Sequence, residues 1–549
     1  MQSWHLFFGA TRRPPAILWL VGIAVAVITL IPAIYTIIRA LEAVGTTTLP
    51  PPKMLIALVI NTVILASGTA FLSGIIGISQ AFLVERTTLA GRAIWRIVVA
   101  LPLAIPPYVL GLCVLALFRP RGIIEKWLFT TFALPYGTLP FSGIFGVLGS
   151  MVVLALCISP YVYLPVAAVL RQGSNHFNEM AQLSGATWYH RLRHITLPTI
   201  APAAGGGMLL CMLYALADFG VPALLRLPTF STAIYGQFTG QINRAGAAFL
   251  SIPLIFVTLG LIILEERLAG RGSVQINRSW RPYLRHPLQA WQWVAQCGLG
   301  MVTLSALVLP IGTLVFWALR PMSLSEQSSS LPWSALLQTG LGNMFFVALI
   351  ASITTILAIP PALLLRRGGI IGGILARCSQ VGYALPGVVV ALSVVLVVNR
   401  GLSWIAGGVL PLVLAYIIRF LPQAVQSLDV AFNQIAPAIE EAGRSLGRSA
   451  LSVIQRLVLP LAAPGLQAGW ALLFLSMIKE LPATLLLRPA GFDTLAVRIW
   501  MPASDGHFAA AAPPALLLVA VALAPLTLIL HTYHRTPTQH TEEAPWNPS

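Results

Sequence analysis

Asp218 and Glu480 are the side chains of this sequence most suggestive of chemistry. Each closes a long apolar run, and they lie 480 − 218 = 262 residues apart. Ionisable groups at membrane depth are costly and usually functional. A hard cation prefers oxygen ligands, so two carboxylates along one path offer passing contact with such an ion. The other reading is local: the carboxylates pair with Arg226, Arg488 or Lys479 and shape the outer ends of the apolar segments. That reading is preferred, because a conduit gains nothing from holding tightly what it passes. Pro106, Pro107 and Pro386 interrupt apolar runs. Broken helices are tolerated in membranes where they line a cavity or a moving interface, so these prolines are gate or hinge candidates, with a fixed kink as the alternative.

Other chemistries find no support. Lysine occurs only at 53, 126 and 479, and no Gly-x-x-x-x-Gly-Lys-Ser/Thr is present, so a phosphate-binding loop cannot be built. The chain is therefore not expected to hydrolyse ATP or to bind a cofactor itself. His190 and His194 have a metal-compatible i, i+4 spacing, but no third ligand completes a site, and they read as basic surface groups. The five cysteines, Cys113, Cys157, Cys211, Cys297 and Cys378, are scattered without a Cys-x-x-Cys; each reads as a small buried apolar residue. No nucleophile–base pair is evident, so no catalytic residue and no firm metal site is assigned.

The elements that must position these residues are membrane helices. Hydrophobic residues make up 57% of the 549 and charged ones only 9%, against about 25% in a soluble domain. The apolar runs are continuous and long enough to cross a bilayer as helices, at ~20 residues each, without the alternation of a barrel strand. Twelve spans are expected, near 16–38, 55–83, 94–118, 145–170, 203–217, 247–264, 293–319, 344–365, 381–398, 404–420, 465–478 and 511–530. The net charge of +17 does not point to nucleic acid. With a cytoplasmic N-terminus, most of the arginines fall in inward loops, the positive-inside bias. Both termini are then cytoplasmic. The first span is too long for the apolar core of a cleaved signal.

A polar segment recurs inside this apolar chain. Glu179, Ala181, Gly185, Leu197 and Pro198 are matched in register by Glu441, Gly443, Gly447, Leu459 and Pro460, with Met180 opposite Ala442. The offset is constant: 447 − 185, 460 − 198 and, for the later Pro202 and Pro464, 464 − 202 all equal 262. The central glycine permits a turn with positive φ, and the proline marks re-entry into the membrane by ending or starting a helix. Leu183 and Leu446 precede that turn. Trp188 with Leu192, and Leu451 with Ile454, follow it as an apolar strip. Such a hairpin suits a groove on a cytosolic partner. Asp218 maps onto Glu480, Arg226 onto Arg488 and Thr232 onto Thr494 by the same offset. Upstream, Ile105-Pro106-Pro107-Tyr108 aligns with Leu385-Pro386-Gly387-Val388 at 280, placing the first half's surplus in the polar outer stretch 119–142.

The repeated Glu-Ala-Ala-x-x-x-Gly followed by Leu-Pro resembles the EAA loop of permease subunits of binding-protein-dependent ABC importers. Two copies with twelve spans look like the fused permeases of the ferric-iron and thiamine group. The segment Lys479-Glu480-Leu481-Pro482-Ala483-Thr484-Leu485-Leu486-Leu487-Arg488-Pro489, continuing through Phe492-Asp493-Thr494-Leu495, is similar to one typical of ferric-iron permeases. The resemblance implies an all-α integral membrane protein of the type I importer permease fold, with two parallel six-helix repeats. These are expected at 1–264, with its loop near 175–202, and at 291–531, with its loop near 437–464. A basic cytoplasmic linker spans 265–290 and a polar tail 532–549. It further implies residence in a bacterial inner membrane, two copies of a cytosolic ATPase carrying ATP and Mg at the loops, and a periplasmic binding protein outside. Ferric iron is the expected cargo. Thiamine, phosphonate, sulfate or a polyamine is the alternative within the class, and an ion-gradient-driven secondary transporter is the alternative outside it.

Overall fold

The computed structural model describes residues 14–43, 50–133, 135, 137, 144–172, 180–181, 183–185, 187–241, 243–269, 287–320 and 332–534. The described chain is helical, with no strand among these residues. All twelve expected spans fall on helices, but they are not twelve uniform rods. Among the described residues, ten helices are long and apolar enough to cross a membrane. The pair Val147–Ile158 and Pro160–Arg171, bent by 42°, makes eleven when counted as one broken span. The expected span at 381–398 is a short 3-10 turn, Val381–Ala384, followed by the helix Gly387–Gly401. The span expected at 404–420 starts later and runs further, as Leu410–Asn433. The two spans that looked short in sequence, near 203 and 465, are long: Leu197–Ala217 and Leu459–Met477.

The two halves repeat one another element by element. Pro52–Arg86 and Trp333–Arg367 are both 35-residue helices. Leu101–Ala104 and Val381–Ala384 are matching 3-10 turns, each leading through Pro106 or Pro386 into a half-length helix, Pro107–Phe118 or Gly387–Gly401. Proline supplies no N–H and sets an extended residue before the next helix, which is why both third spans break there. The surplus of the first half contains a helix, Ile123–Phe132, where a loop was expected. The carboxylate of Glu125 holds its flanks by accepting the backbone N–H groups of Gly137 and Arg121.

The proline of each Leu-Pro pair stands in the first turn of an α-helix, Leu197–Ala217 or Leu459–Met477, as expected, but the chain ahead of it is already helical. A π-turn precedes it, at Leu192–Thr196 ahead of Pro198 and at Ile454–Val458 ahead of Pro460. The same device, Leu304–Val308, precedes Pro310. Widening the ladder by one residue lets the helix accommodate a ring that cannot donate.

Each half buries a three-helix centre. In the first, Pro52–Arg86, Pro160–Gln172 and Leu197–Ala217 pack mutually; in the second, Trp333–Arg367, Leu410–Asn433 and Leu459–Met477 do so. Lipid offers no hydrophobic gain for helix association, so small residues at close contacts carry the packing. A Cβ on Gly77 would lie 2.8 Å from both the Ser159 carbonyl oxygen and Val162 Cβ, and one on Gly207 would lie 2.7 Å from the Tyr161 carbonyl oxygen. The helix at 160–172 is thus gripped between glycines of its two neighbours. At the end of Pro52–Arg86, Glu85 is almost fully buried and takes Arg96 at 2.6 Å and Arg171 at 3.5 Å.

The halves are interlaced by their first helices. Ala16–Ala43 packs on Arg244–Ala269 of its own half and on Trp333–Arg367, Gly369–Cys378 and Gly387–Gly401 of the other. Reciprocally, Leu309–Leu319 packs on Phe508–His534 of its own half and on Pro107–Phe118 of the first. Replacing Gly77 by leucine should overpack the contact between Pro52–Arg86 and Pro160–Gln172, where backbone rather than a flexible tip must yield. Overpacking costs about 1–3 kcal/mol, and the thermal midpoint of the purified Gly77→Leu variant in detergent should fall accordingly.

Candidate functional site

A cavity of about 290 Å³ opens between the halves. Its walls are the ends of Leu197–Ala217 and Leu459–Met477, the middle of Leu410–Asn433 and the residues around the two helix breaks. The first half contributes Tyr108, Tyr161, Tyr214 and Asp218; the second contributes Arg419, Gln423, Lys479 and Glu480.

The two carboxylates hold equivalent positions. The half-buried Asp218 accepts the backbone N–H of Val221 through Oδ2 at 2.9 Å, and Glu480 accepts that of Ala483 through Oε1 at 3.3 Å. The donors are themselves related by 483 − 221 = 262. Each carboxylate thus satisfies the exposed start of a short helix that follows a membrane span, Gly220–Leu224 or Pro482–Leu487. Capping of this kind needs a side-chain acceptor, which the sequence supplies twice as a carboxylate.

The expected partners Arg226, Arg488 and Lys479 do not pair with these carboxylates. Glu480 Oε2 takes Arg419 Nε at 2.9 Å, from a helix that the repeat pattern does not bring to mind. Lys479 Nζ reaches across the seam to the Leu103 carbonyl at 2.8 Å. Arg488 is drawn to Asp493, which also takes Arg498 at 2.6 Å. The Arg226 guanidinium lies 5.9 Å from the Phe145 ring, its own φ a left-handed 56°.

Symmetry fails inside the cavity where it matters chemically. Arg419 corresponds to Cys157, Gln423 to Tyr161, Ser476 to Tyr214 and Lys479 to Ala217 by the 262 offset. One wall is therefore phenolic and the other carries the ion pair. Gly387 makes room for that pair: a Cβ there would lie 2.5 Å from Glu480 Oε1 and 3.1 Å from the Arg419 guanidinium carbon. The buried hydroxyl of Tyr108 finds no hydrogen-bond partner within the protein. Pro386 lines the cavity, while Pro106 and Pro107 start the opposing half-helix that carries Tyr108.

The offset slips beyond the cavity. The helix Phe230–Thr239 is capped by Thr229, with Thr232 completing the capping box, whereas Leu495–Ser504 is capped by Thr494. The true counterpart of Thr494 is Thr229, at 494 − 229 = 265, rather than Thr232. Three additional residues in the second half produce the shift, and they bracket Asp493.

The second copy of the repeated polar segment forms a hairpin, and both copies keep the glycine turn. Gly185 and Gly447 turn with φ of 76° and 78°, as their position required. In the second copy, Pro437–Ser445 meets Ala450–Val453 across that turn, and Gly443 is packed so closely that a Cβ would lie 2.7 Å from Leu457 Cδ1. Leu183 and Leu446 are 88% and 82% exposed. Leu451 is also exposed, but Ile454 turns into the core at 3%, so it does not join the outward strip. Ala181, Leu197, Ala442, Leu459 and Pro460 lie on this framework; Glu179 and the Trp188 side chain lie outside the described residues. Sequence reasoning missed the neighbour Glu440, which pairs with Arg367 at the end of Trp333–Arg367, while Arg366 donates to the Phe432 carbonyl. The position matching Glu440 in the first copy is Asn178, which lies outside the described residues. His190 and His194 are exposed and stacked at 4.2 Å, and no cluster of three potential metal ligands occurs among the described residues.

Residues 73–271 and 354–536 each match the family described as "Binding-protein-dependent transport system inner membrane component". The chain belongs to that family. It carries the family's domain twice and is a fused, multi-pass permease. It is 29% identical over 527 residues to the Fe(3+)-transport system permease protein FbpB 2 of Haemophilus influenzae, covering 94% of this chain and 98% of that one. It is 24% identical to the ferric transport system permease protein FbpB of Actinobacillus pleuropneumoniae, over 83% of this chain and 69% of that protein. A sulfate transport system permease protein, CysW of Synechocystis, is 27% identical but spans only 39% of this chain and 78% of its own length.

The ion pair in the cavity has a testable consequence. Removing one member of a buried pair leaves a charge without compensation and costs about 3–5 kcal/mol. Arg419→Gln should therefore lower the thermal midpoint more than the double variant Arg419→Gln/Glu480→Gln, measured in the same detergent.

Proposed function

We propose that this permease forms the pore of an ATP-driven importer for ferric iron, with the cavity between the halves as the path. The supporting observation is the coincidence of a full-length likeness to permeases named for ferric iron with a cavity whose lining is rich in oxygen donors. Asp218, Glu480 and the phenols of Tyr108, Tyr161 and Tyr214 offer hard ligands, the class a hard cation prefers. The cavity holds as many cationic as anionic side chains, Arg419 and Lys479 against Asp218 and Glu480, which supports passage rather than retention.

In this reading the exposed leucines of the hairpins seat on two copies of a cytosolic ATPase, which holds the ATP and Mg, and a periplasmic binding protein delivers cargo to the opposite face. Both termini then lie in the cytoplasm of a bacterial cell. Closure of the ATPases draws the hairpins together. The Arg367–Glu440 tie passes that movement to a helix at the centre of the second half. Nucleotide state biases a two-state pore, which is all the energetics of alternating access require.

Two measurements test this. Proteoliposomes holding the permease with its ATPase, supplied with the iron-loaded binding protein and ATP, should accumulate ferric iron and not sulfate, molybdate or thiamine; uptake of one of those instead removes the iron assignment. Leu446→Glu places a charge in the hairpin's apolar contact. It should reduce co-purification of the ATPase by roughly tenfold or more, as loss of about 1.4 kcal/mol would give, with the permease still folded. Unchanged co-purification would show that the hairpins dock elsewhere.

A further inference from the structure

Arginines are unexpected at the membrane edge opposite the arginine-rich loops, yet three converge there. Arg39 lies one turn before the end of Ala16–Ala43, Arg244 begins Arg244–Ala269 and Arg400 lies in the last turn of Gly387–Gly401; with Tyr35, Leu396 and Asn399 they line one cavity of about 210 Å³. Positive charge at this edge opposes the inward bias of the rest of the chain. One carboxylate answers the three guanidiniums: Glu42 pairs with Arg39, which also donates to the Tyr35 hydroxyl at 3.0 and 3.2 Å. Arg244 lies 6.0 Å from the Phe238 ring, and neither it nor Arg400 has a carboxylate within ion-pair distance among the described residues. Like charges converging on one cavity are held together cheaply only by an anion, and guanidinium matches phosphate in geometry and charge.

The surroundings identify that anion's carrier. The cavity sits at helix ends, the depth of lipid headgroups. On the same helix as Arg39, Ile34, Ile37, Ile38 and Leu41 are all 43% exposed or more, an apolar surface that acyl chains would cover. We propose that this cavity seats the phosphate headgroup of an anionic phospholipid. The lipid bridges the two repeats where they interlace, since Arg39 and Arg244 belong to the first and Arg400 to the second. The site is independent of which cargo the pore carries.

The test uses the full-length chain purified in mild detergent. Delipidated protein is titrated with phosphatidylglycerol, phosphatidylcholine or inorganic phosphate while its thermal midpoint is followed. Retained phospholipid is counted by native mass spectrometry. Phosphatidylglycerol should raise the midpoint, and the other two should not. Arg244→Gln/Arg400→Gln should lose that response and retain roughly tenfold less lipid for each guanidinium removed, the equivalent of one charge-assisted contact. An equal response to inorganic phosphate, or none by the wild type to phosphatidylglycerol, overturns the proposal. So does an undiminished response in the variant. Because the wild-type titration decides by itself, a poorly folding variant does not shield the idea.

Discussion

The hydrocarbon core of a membrane has no water to satisfy a backbone group, so every place where a helix stops inside it must be answered by protein. Among the described residues the chain breaks apolar helices before Pro107 and Gly387, after Ala217 and Met477, and at Ser159, where the helices either side bend by 42°. The answers differ by site. At the proline breaks a 3-10 turn leads straight into the next helix, whose first residue in one copy is itself a proline with no N–H to satisfy. At the ends of the fifth spans, Asp218 and Glu480 accept the N–H groups of Val221 and Ala483. Their first task is thus structural. Their cost as buried charges is met by what the break provides, namely a cavity between the halves and, for Glu480, the Arg419 guanidinium.

Duplication explains the frame and its failures explain the chemistry. Identical jobs are done by identical elements wherever the backbone is the constraint: equal 35-residue helices, paired π-turns before Leu-Pro, glycine turns with φ near 77°. The copies diverge where side chains face the cavity or the hairpins. Gly387 stands where the first half has Pro107, and this is what admits the Arg419–Glu480 pair beside the backbone. Glu440 stands where the first half has Asn178, and it ties the second hairpin to a central helix through Arg367. A single pore made from two copies need only keep the shared mechanics; each wall is free to specialise.

Much of this was legible in the sequence because the signals were local. Glycine with positive φ, proline breaks and long apolar runs act on their immediate neighbours, so Gly185, Gly447, Pro106, Pro386 and the twelve apolar segments could be read directly. What could not be read was what meets across distance. Arg419 and Glu480 are 61 residues apart, and nothing in either segment names the other. The constant offset also misled at Thr232, because a three-residue insertion is invisible until the caps at Thr229 and Thr494 show where the helices begin. The Leu-Pro pairs marked the start of their α-helices, but not the π-turn that joins each one to the helical turn before it, because no residue type announces that turn.

Interlacing determines how such a pore can move. Because Ala16–Ala43 lies against three helices of the second half and Leu309–Leu319 against the first, the repeats cannot separate like two free bodies. Each carries a helix of the other across the seam. The Lys479 contact to the Leu103 carbonyl and the ring contact of Phe219 with Trp500 at 5.3 Å cross the same seam. Apolar packing joins them there, with Ala100, Leu103 and Ala104 of the first half clustered with Leu475, Ala522 and Leu526 of the second. The polar Lys479 contact is set into that apolar seam rather than replacing it.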